Sequence, residues 1–65
     1  MNNELLKEIR LSKNLTQKEL AKQLNISERH YQNIEYGKSN PSIKLALRLC
    51  DILEIDLTDL FPRQP

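Results

Sequence analysis

Cys50 is the only thiol in the chain and His30 the only imidazole, so nucleophilic, redox and metal chemistry have little to draw on. One cysteine excludes an intramolecular disulfide, and one Cys with one His gives no zinc-binding spacing. No second catalytic partner for His30 is evident, which leaves it as a flanking surface side chain rather than a catalyst or ligand. Cys50 falls on the apolar side of its segment and reads as a packing residue rather than a redox sensor. The sequence therefore predicts no enzyme, no metal and no cofactor.

The charged side chains are more informative, because they are unevenly placed. Residues 7–44 carry Lys7, Arg10, Lys13, Lys18, Lys22, Arg29, Lys38 and Lys44 against Glu8, Glu19, Glu28 and Glu35, a net charge of +4. Residues 45–65 carry Arg48 and Arg63 against Asp51, Glu54, Asp56 and Asp59, a net charge of −2. The overall charge of +1 hides this asymmetry, which predicts one surface able to meet phosphates and another turned away from them.

The elements that must hold these groups are short and helical. At 65 residues the chain has room for a single domain and none for a separate effector or catalytic domain. A domain this small buries only about 60% of the surface its unfolded chain exposes, so dense local structure or a partner subunit is needed. Apolar runs are too short to span a bilayer, and Met1-Asn2-Asn3-Glu4 lacks the basic and apolar parts of a signal peptide. Cytoplasmic residence without membrane contact is the expectation.

Periodicity predicts a first amphipathic helix over about 3–13, with Leu6 and Ile9 on one face. Thr16-Gln17-Lys18-Glu19 is a capping box that opens a second helix, with Leu15 and Leu20 as its hydrophobic staple. Ser27 is the N-cap of a third, Ile26 and Tyr31 repeat the staple spacing, and Gly37 ends it in a left-handed C-cap. A fourth helix opens at Ser42 after Pro41 and runs to about residue 53. Its polar stripe, Lys44, Arg48 and Asp51, is narrow, which suits a helix packed on more than one side. A last turn follows Asp56 and stops at Pro62, and the tail 62–65 is either frayed or extended.

The joint between the second and third helices, over about 16–36, is the most specific local feature. Two helices meeting near a right angle through a 3–4-residue turn need a small side chain at the crossing and a turn residue that tolerates positive φ. Ala21 and Asn25 meet those needs, asparagine being among the few non-glycine residues that visit the left-handed region readily.

Residues 5–61 resemble the lambda-repressor-like family of Cro/CI-type, or XRE, helix-turn-helix regulators. The resemblance rests on Leu6-x-x-Ile9-Arg10, Leu15-Thr16-Gln17-x-Glu19-Leu20-Ala21, Ile26-Ser27, Ile34-Glu35-x-Gly37-Lys38, Pro41-Ser42 and Leu57-x-x-Leu60-Phe61. Two departures are Asn25, where the family often has glycine, and Tyr31, where it usually has an aliphatic residue. A buried Tyr31 would need a partner for its hydroxyl.

The resemblance implies an all-α, compact five-helix domain with the helix-turn-helix at helices two and three. It also implies double-stranded DNA as partner, with the third helix in the major groove. On a helical wheel Tyr31, Ile34 and Glu35 then face inward, so Glu28, Arg29, Gln32 and Asn33 become the candidate base contacts. Arg29 suits guanine O6 and N7, Gln32 or Asn33 suits adenine N6 and N7, and Glu28 suits a cytosine amino group or the orientation of Gln17 or Arg29. Phosphate contacts are expected from Gln17 at the start of the second helix, from Lys18, and from Lys38, Ser39, Asn40 and Lys44 after the third. The family pairs Arg10 with Glu35 in a partly buried salt bridge.

Apolar surface on the fourth helix and last turn, drawn from Leu49, Ile52, Leu53, Leu57, Leu60 and Phe61, predicts a two-fold homodimer. Such a dimer would space two reading helices roughly 34 Å apart on a pseudo-palindromic operator. The expectation is a repressor with no small-molecule ligand. The alternative is a protein-interaction module, such as an antitoxin or anti-repressor partner, that uses the same helices.

Overall fold

Helices begin wherever the sequence offers a side chain to satisfy the free N–H groups of a first turn. In a computed structural model, which describes residues 1–62, they are α1 (Asn3–Ser12), α2 (Gln17–Leu24), α3 (Glu28–Glu35), α4 (Ile43–Leu53) and α5 (Leu57–Leu60). There is no strand among the described residues. Asn2, Thr16, Ser27 and Ser42 each accept a backbone N–H three residues on. Glu19 returns the bond to the Thr16 N–H at 2.9 Å, completing the predicted capping box. At α5 the bond runs from the other side, the Asp59 carboxylate accepting the Asp56 N–H at 3.1 Å.

Left-handed residues stop the helices. Asn25 ends α2 at φ 59°, as its residue type predicted, and Gly37 follows α3 at φ 79°. Asn14 after α1 and Glu54 after α4 adopt the same region, at φ 57° and 58°, and neither was predicted. Glutamate has no local hydrogen-bonding reason to favour that conformation, so nothing in its identity marks it as a stop. The tail expectation beyond Pro62 lies outside the described residues.

α2 packs on α3 and α4, while α1 packs on α3 and α5. The core between them is built from Leu6, Leu20, Leu24, Tyr31, Ile34, Leu49, Leu53 and Leu60, with Ala21 and Cys50. Ala21 lies buried within it, which fits the requirement for a small residue where the two helices cross. The Asn2 N–H donates to the Leu60 carbonyl at 2.7 Å, which ties the start of α1 to the end of α5.

The expected dimer surface needs correction. Leu49, Leu53 and Leu60 are buried within the single chain and serve its own core, while Ile52, Leu57 and Phe61 are half-buried and pack against it. The α4 apolar groups left outside are Ile43, 74% exposed, and Leu47, 52% exposed. With Pro41, Ala46, Leu57 and Phe61 nearby, Ile43 borders an apolar groove between α4 and α5. An almost wholly apolar α4 gives no sign in sequence of which arc its neighbours cover.

Candidate nucleic-acid interface

α3 is held by one side and open on the other. Tyr31, Ile34 and Glu35 are buried, while Glu28, Arg29 and His30 are exposed and Gln32 and Asn33 are half-buried. The three-residue and four-residue steps that bring Arg29, Gln32 and Asn33 to one face also bring Tyr36, 59% exposed, to its C-terminal end. Tyr36 was missed as a candidate, although the 29, 32/33, 36 spacing carried the signal.

Glu35 is the hub behind that face. Its Oε1 accepts from Arg10 Nε at 2.8 Å and from the Tyr31 hydroxyl at 3.0 Å. Its Oε2 accepts from Arg10 Nη2 at 3.4 Å and from the Gln17 amide. Arg10 also donates to the Leu15 carbonyl at 2.8 Å. Both partners of the pair are nearly covered, at 7% and 2% side-chain exposure.

Burial works against the charge on Glu35, but hydrogen bonds from Arg10, Gln17 and Tyr31, joined by the Arg10 charge, hold its carboxyl below the ordinary range. For Arg10, burial is likewise outweighed by the bond and charge of Glu35, and its pKa is raised. Burial first, then the neighbouring Glu35 carboxylate, drive the Tyr31 phenol well above its usual value. Tyr31 thus has the hydroxyl partner that its burial demanded.

Gln17 stands between α2 and α3. Its Nε2 donates to Glu35 Oε2 and to the Tyr36 hydroxyl at 3.3 Å, and its Oε1 accepts from Gln32 Nε2 at 3.2 Å. Both side-chain hydrogens of Gln17 are therefore engaged within the protein in this arrangement. The backbone N–H groups of Gln17 and Lys18, in the first turn of α2, keep the anion-facing geometry of a helix start.

The other expected phosphate ligands divide. Lys18, Lys38, Asn40 and Lys44 are exposed. Ser39 is not available in the same way: its Oγ is buried without a partner among the described residues. The Ser39 N–H goes to the Asn33 carbonyl at 3.1 Å, beside the bond from the Lys38 N–H at 2.8 Å. Those two bonds fold the loop back onto the end of α3, which turns the Ser39 hydroxyl inward. Arg48 donates to the Gln23 carbonyl at 3.3 Å, bracing α4 against the end of α2.

Among the described residues no group of three His, Cys, Asp or Glu side chains is placed to hold a metal ion. No helix there is long and apolar enough to cross a membrane.

An anchored α3 joined to α2 through a left-handed asparagine defines the helix-turn-helix class of domain. A helix-turn-helix family model matches residues 6–60. An uncharacterized HTH-type transcriptional regulator from Methanocaldococcus jannaschii is 41% identical over 56 residues, covering 86% of this chain and 85% of its own. Two uncharacterized HTH-type transcriptional regulators from Archaeoglobus fulgidus are 38% and 34% identical over 56 residues, covering 86% of this chain and 79% and 80% of theirs. The chain belongs to the Cro/CI-type, or XRE, helix-turn-helix family of transcriptional regulators, with the five-helix lambda-repressor-like fold that the resemblance implied.

Proposed function

We propose that the chain is a sequence-specific repressor that binds double-stranded DNA in the cytoplasm as a homodimer on a pseudo-palindromic operator. The observation that supports this most directly is the two-sided character of α3, with Tyr31, Ile34 and Glu35 buried and Glu28, Arg29 and His30 exposed. A rod anchored in that way can enter a major groove without exposing apolar side chains.

In this reading Arg29 contacts a guanine, Gln32 or Asn33 an adenine, and Glu28 a cytosine amino group. Lys18, Lys38, Asn40, Lys44 and the first-turn N–H groups of α2 fix the register on phosphates. Tyr36 joins them, since its hydroxyl accepts from Gln17 and keeps its own hydrogen for a phosphate oxygen. A dimer that covers a promoter excludes polymerase, which is the simplest route to repression. Its contact surface is the apolar groove bordered by Ile43 and Phe61.

The test is selection of bound duplexes from a randomised double-stranded DNA library, followed by titration of the selected site. Arg29→Ala should weaken the selected duplex by about 1–3 kcal/mol and relax the preference at one base pair. Absence of any sequence enrichment, with Arg29→Ala and Lys38→Ala both silent, would transfer the same surface to a protein partner.

A further inference from the structure

A further concave surface lies on the flank of α3 that carries His30, away from the Arg29, Gln32 and Asn33 face. This groove of about 270 Å³ runs between the turn that joins α2 to α3 and the first turns of α4. Its floor is apolar, from buried Leu24 and half-buried Ile26 and Leu45, and its rim is basic, from exposed His30, Lys44 and Arg48. No acidic side chain among the described residues lines it.

Lys44 and Arg48 stand one helical turn apart, where like charges repel. Among the described residues no carboxylate lies within ion-pair distance of either, and Asp51, the acidic member of the same stripe, lines a different groove near the end of α4. One N–H of Arg48 goes to the Gln23 carbonyl at 3.3 Å, which leaves most of its donors for another acceptor. A bare phosphate would satisfy this rim and gain nothing from the floor. We infer that the groove binds a small organic anion with an apolar body, an aryl or branched-chain carboxylate, whose charge meets Lys44 and Arg48 and whose body covers Leu24, Ile26 and Leu45. The volume lies just below the roughly 300–1,000 Å³ of ordinary ligand pockets, which keeps the ligand small. The inference rests on the DNA reading in one respect: Lys44 is also a proposed phosphate ligand, so an occupied groove withdraws one cation from the backbone and lowers affinity for duplex. By linkage, bound duplex lowers affinity for the anion by the same factor.

The full chain is titrated with benzoate, 3-methylbutanoate, benzylamine and inorganic phosphate while its backbone amide resonances are followed by NMR. At least one of the two carboxylates should saturate, with shifts centred on Ile26, His30 and Leu45. Benzylamine, which has the ring of benzoate and the opposite charge, should not saturate there, and phosphate should bind roughly tenfold more weakly or worse for want of an apolar body. Arg48→Met and Lys44→Met keep an apolar stem, remove the charge, and should each weaken the carboxylate by about three- to tenfold. Saturation by neither carboxylate, phosphate binding as well as the carboxylates, shifts centred elsewhere, or unchanged affinity in both variants would overturn the inference.

Duplex titrations then test the coupling. With the carboxylate saturating, and sodium chloride at equal ionic strength as the control, the selected duplex should bind about fivefold more weakly. The slope of log affinity against log salt should fall by about 0.9, the share of one phosphate contact. Arg48→Met carries no proposed DNA contact, so it should bind the duplex as the wild type does and lose the response to carboxylate. A saturated groove with unchanged duplex affinity would overturn the coupling. A chain that binds the carboxylate as expected but shows no duplex preference would remove the DNA reading and keep the groove as an anion site.

Discussion

Four hydrogen bonds converge on the carboxylate of Glu35, and that convergence decides how the residue responds to change. Removing either member of the Arg10–Glu35 pair leaves a charge in a nearly covered site without its partner. Arg10→Ala should therefore cost about 3–5 kcal/mol in urea unfolding, far more than an exposed pair such as Lys13–Glu54, where the closest approach is 3.8 Å. The pH dependence follows from the lowered pKa of Glu35. Its stabilisation is complete above the ordinary carboxylate value of 4.5 and disappears as pH falls through the depressed folded value. Unfolding free energy measured from about pH 6 down to about pH 2, which brackets the ordinary carboxylate pKa of about 4, should fall more steeply in the wild type than in Glu35→Gln. Equal slopes would mean that Glu35 does not carry the acid response. The pairing itself was legible from the family pattern, but the roles of Tyr31, Gln17 and Gln32 around it were not. Gln17 and Gln32 lie 15 positions apart, and no periodicity tells which amide of one helix meets which amide of the next.

At the scale of elements, helix starts were read accurately because a cap is a local event. Thr16, Ser27 and Ser42 satisfy N–H groups three residues away, a relation that sequence displays directly. Periodicity placed the ends of α1 and α4 within a residue, but the left-handed conformation that closes a helix was read only where residue type matched backbone demand, at Asn25 and Gly37. Glu54 shows what that misses. An L-residue other than Asn or Gly in the left-handed region carries roughly 1–2 kcal/mol of strain, and glycine relieves it at an entropic cost of about 0.5–1 kcal/mol. Glu54→Gly should thus raise stability by about 0.5 kcal/mol, detectable as an upward shift in the urea midpoint. Gly37→Ala should do the reverse. Its φ of 79° disfavours any side chain, and a Cβ there would lie 2.5 Å from Asn3 Nδ2, so a loss of about 1 kcal/mol or more is expected.

For the molecule as a whole, charge asymmetry and apolar exposure divide the surface between two tasks. Lys18, Lys38 and Lys44 are exposed, while Asp51, Glu54, Asp56 and Asp59 cluster around the end of α4 and the start of α5. The proposed dimer groove can be tested without harming the fold, because Ile43, which lines it, is 74% exposed. Ile43→Glu should leave the thermal midpoint of the isolated chain nearly unchanged but reduce the mass seen by light scattering, and flatten operator binding curves. A monomeric wild type at tens of micromolar, with and without operator, would remove the dimer from the proposal. Each lysine that meets a phosphate should contribute about 0.9 to the slope of log affinity against log salt, so Lys44→Ala should flatten that dependence without altering base preference. The arc of α4 left exposed was the part least legible in sequence, since telling Leu49 from Leu47 requires knowing how α4 sits against α2 and α5.

The sulfur of Cys50 offers a practical gauge of how often this core opens. It lies in the core at 5% residue exposure, with burial and the nearby Asp56 and Asp59 raising its pKa, so the folded chain should react slowly with an alkylating reagent. Because it is the only one in the sequence, every labelling event in a mass spectrum records an excursion that parts α4 from its neighbours, and the labelling rate with and without bound duplex would clock how often the scaffold breathes.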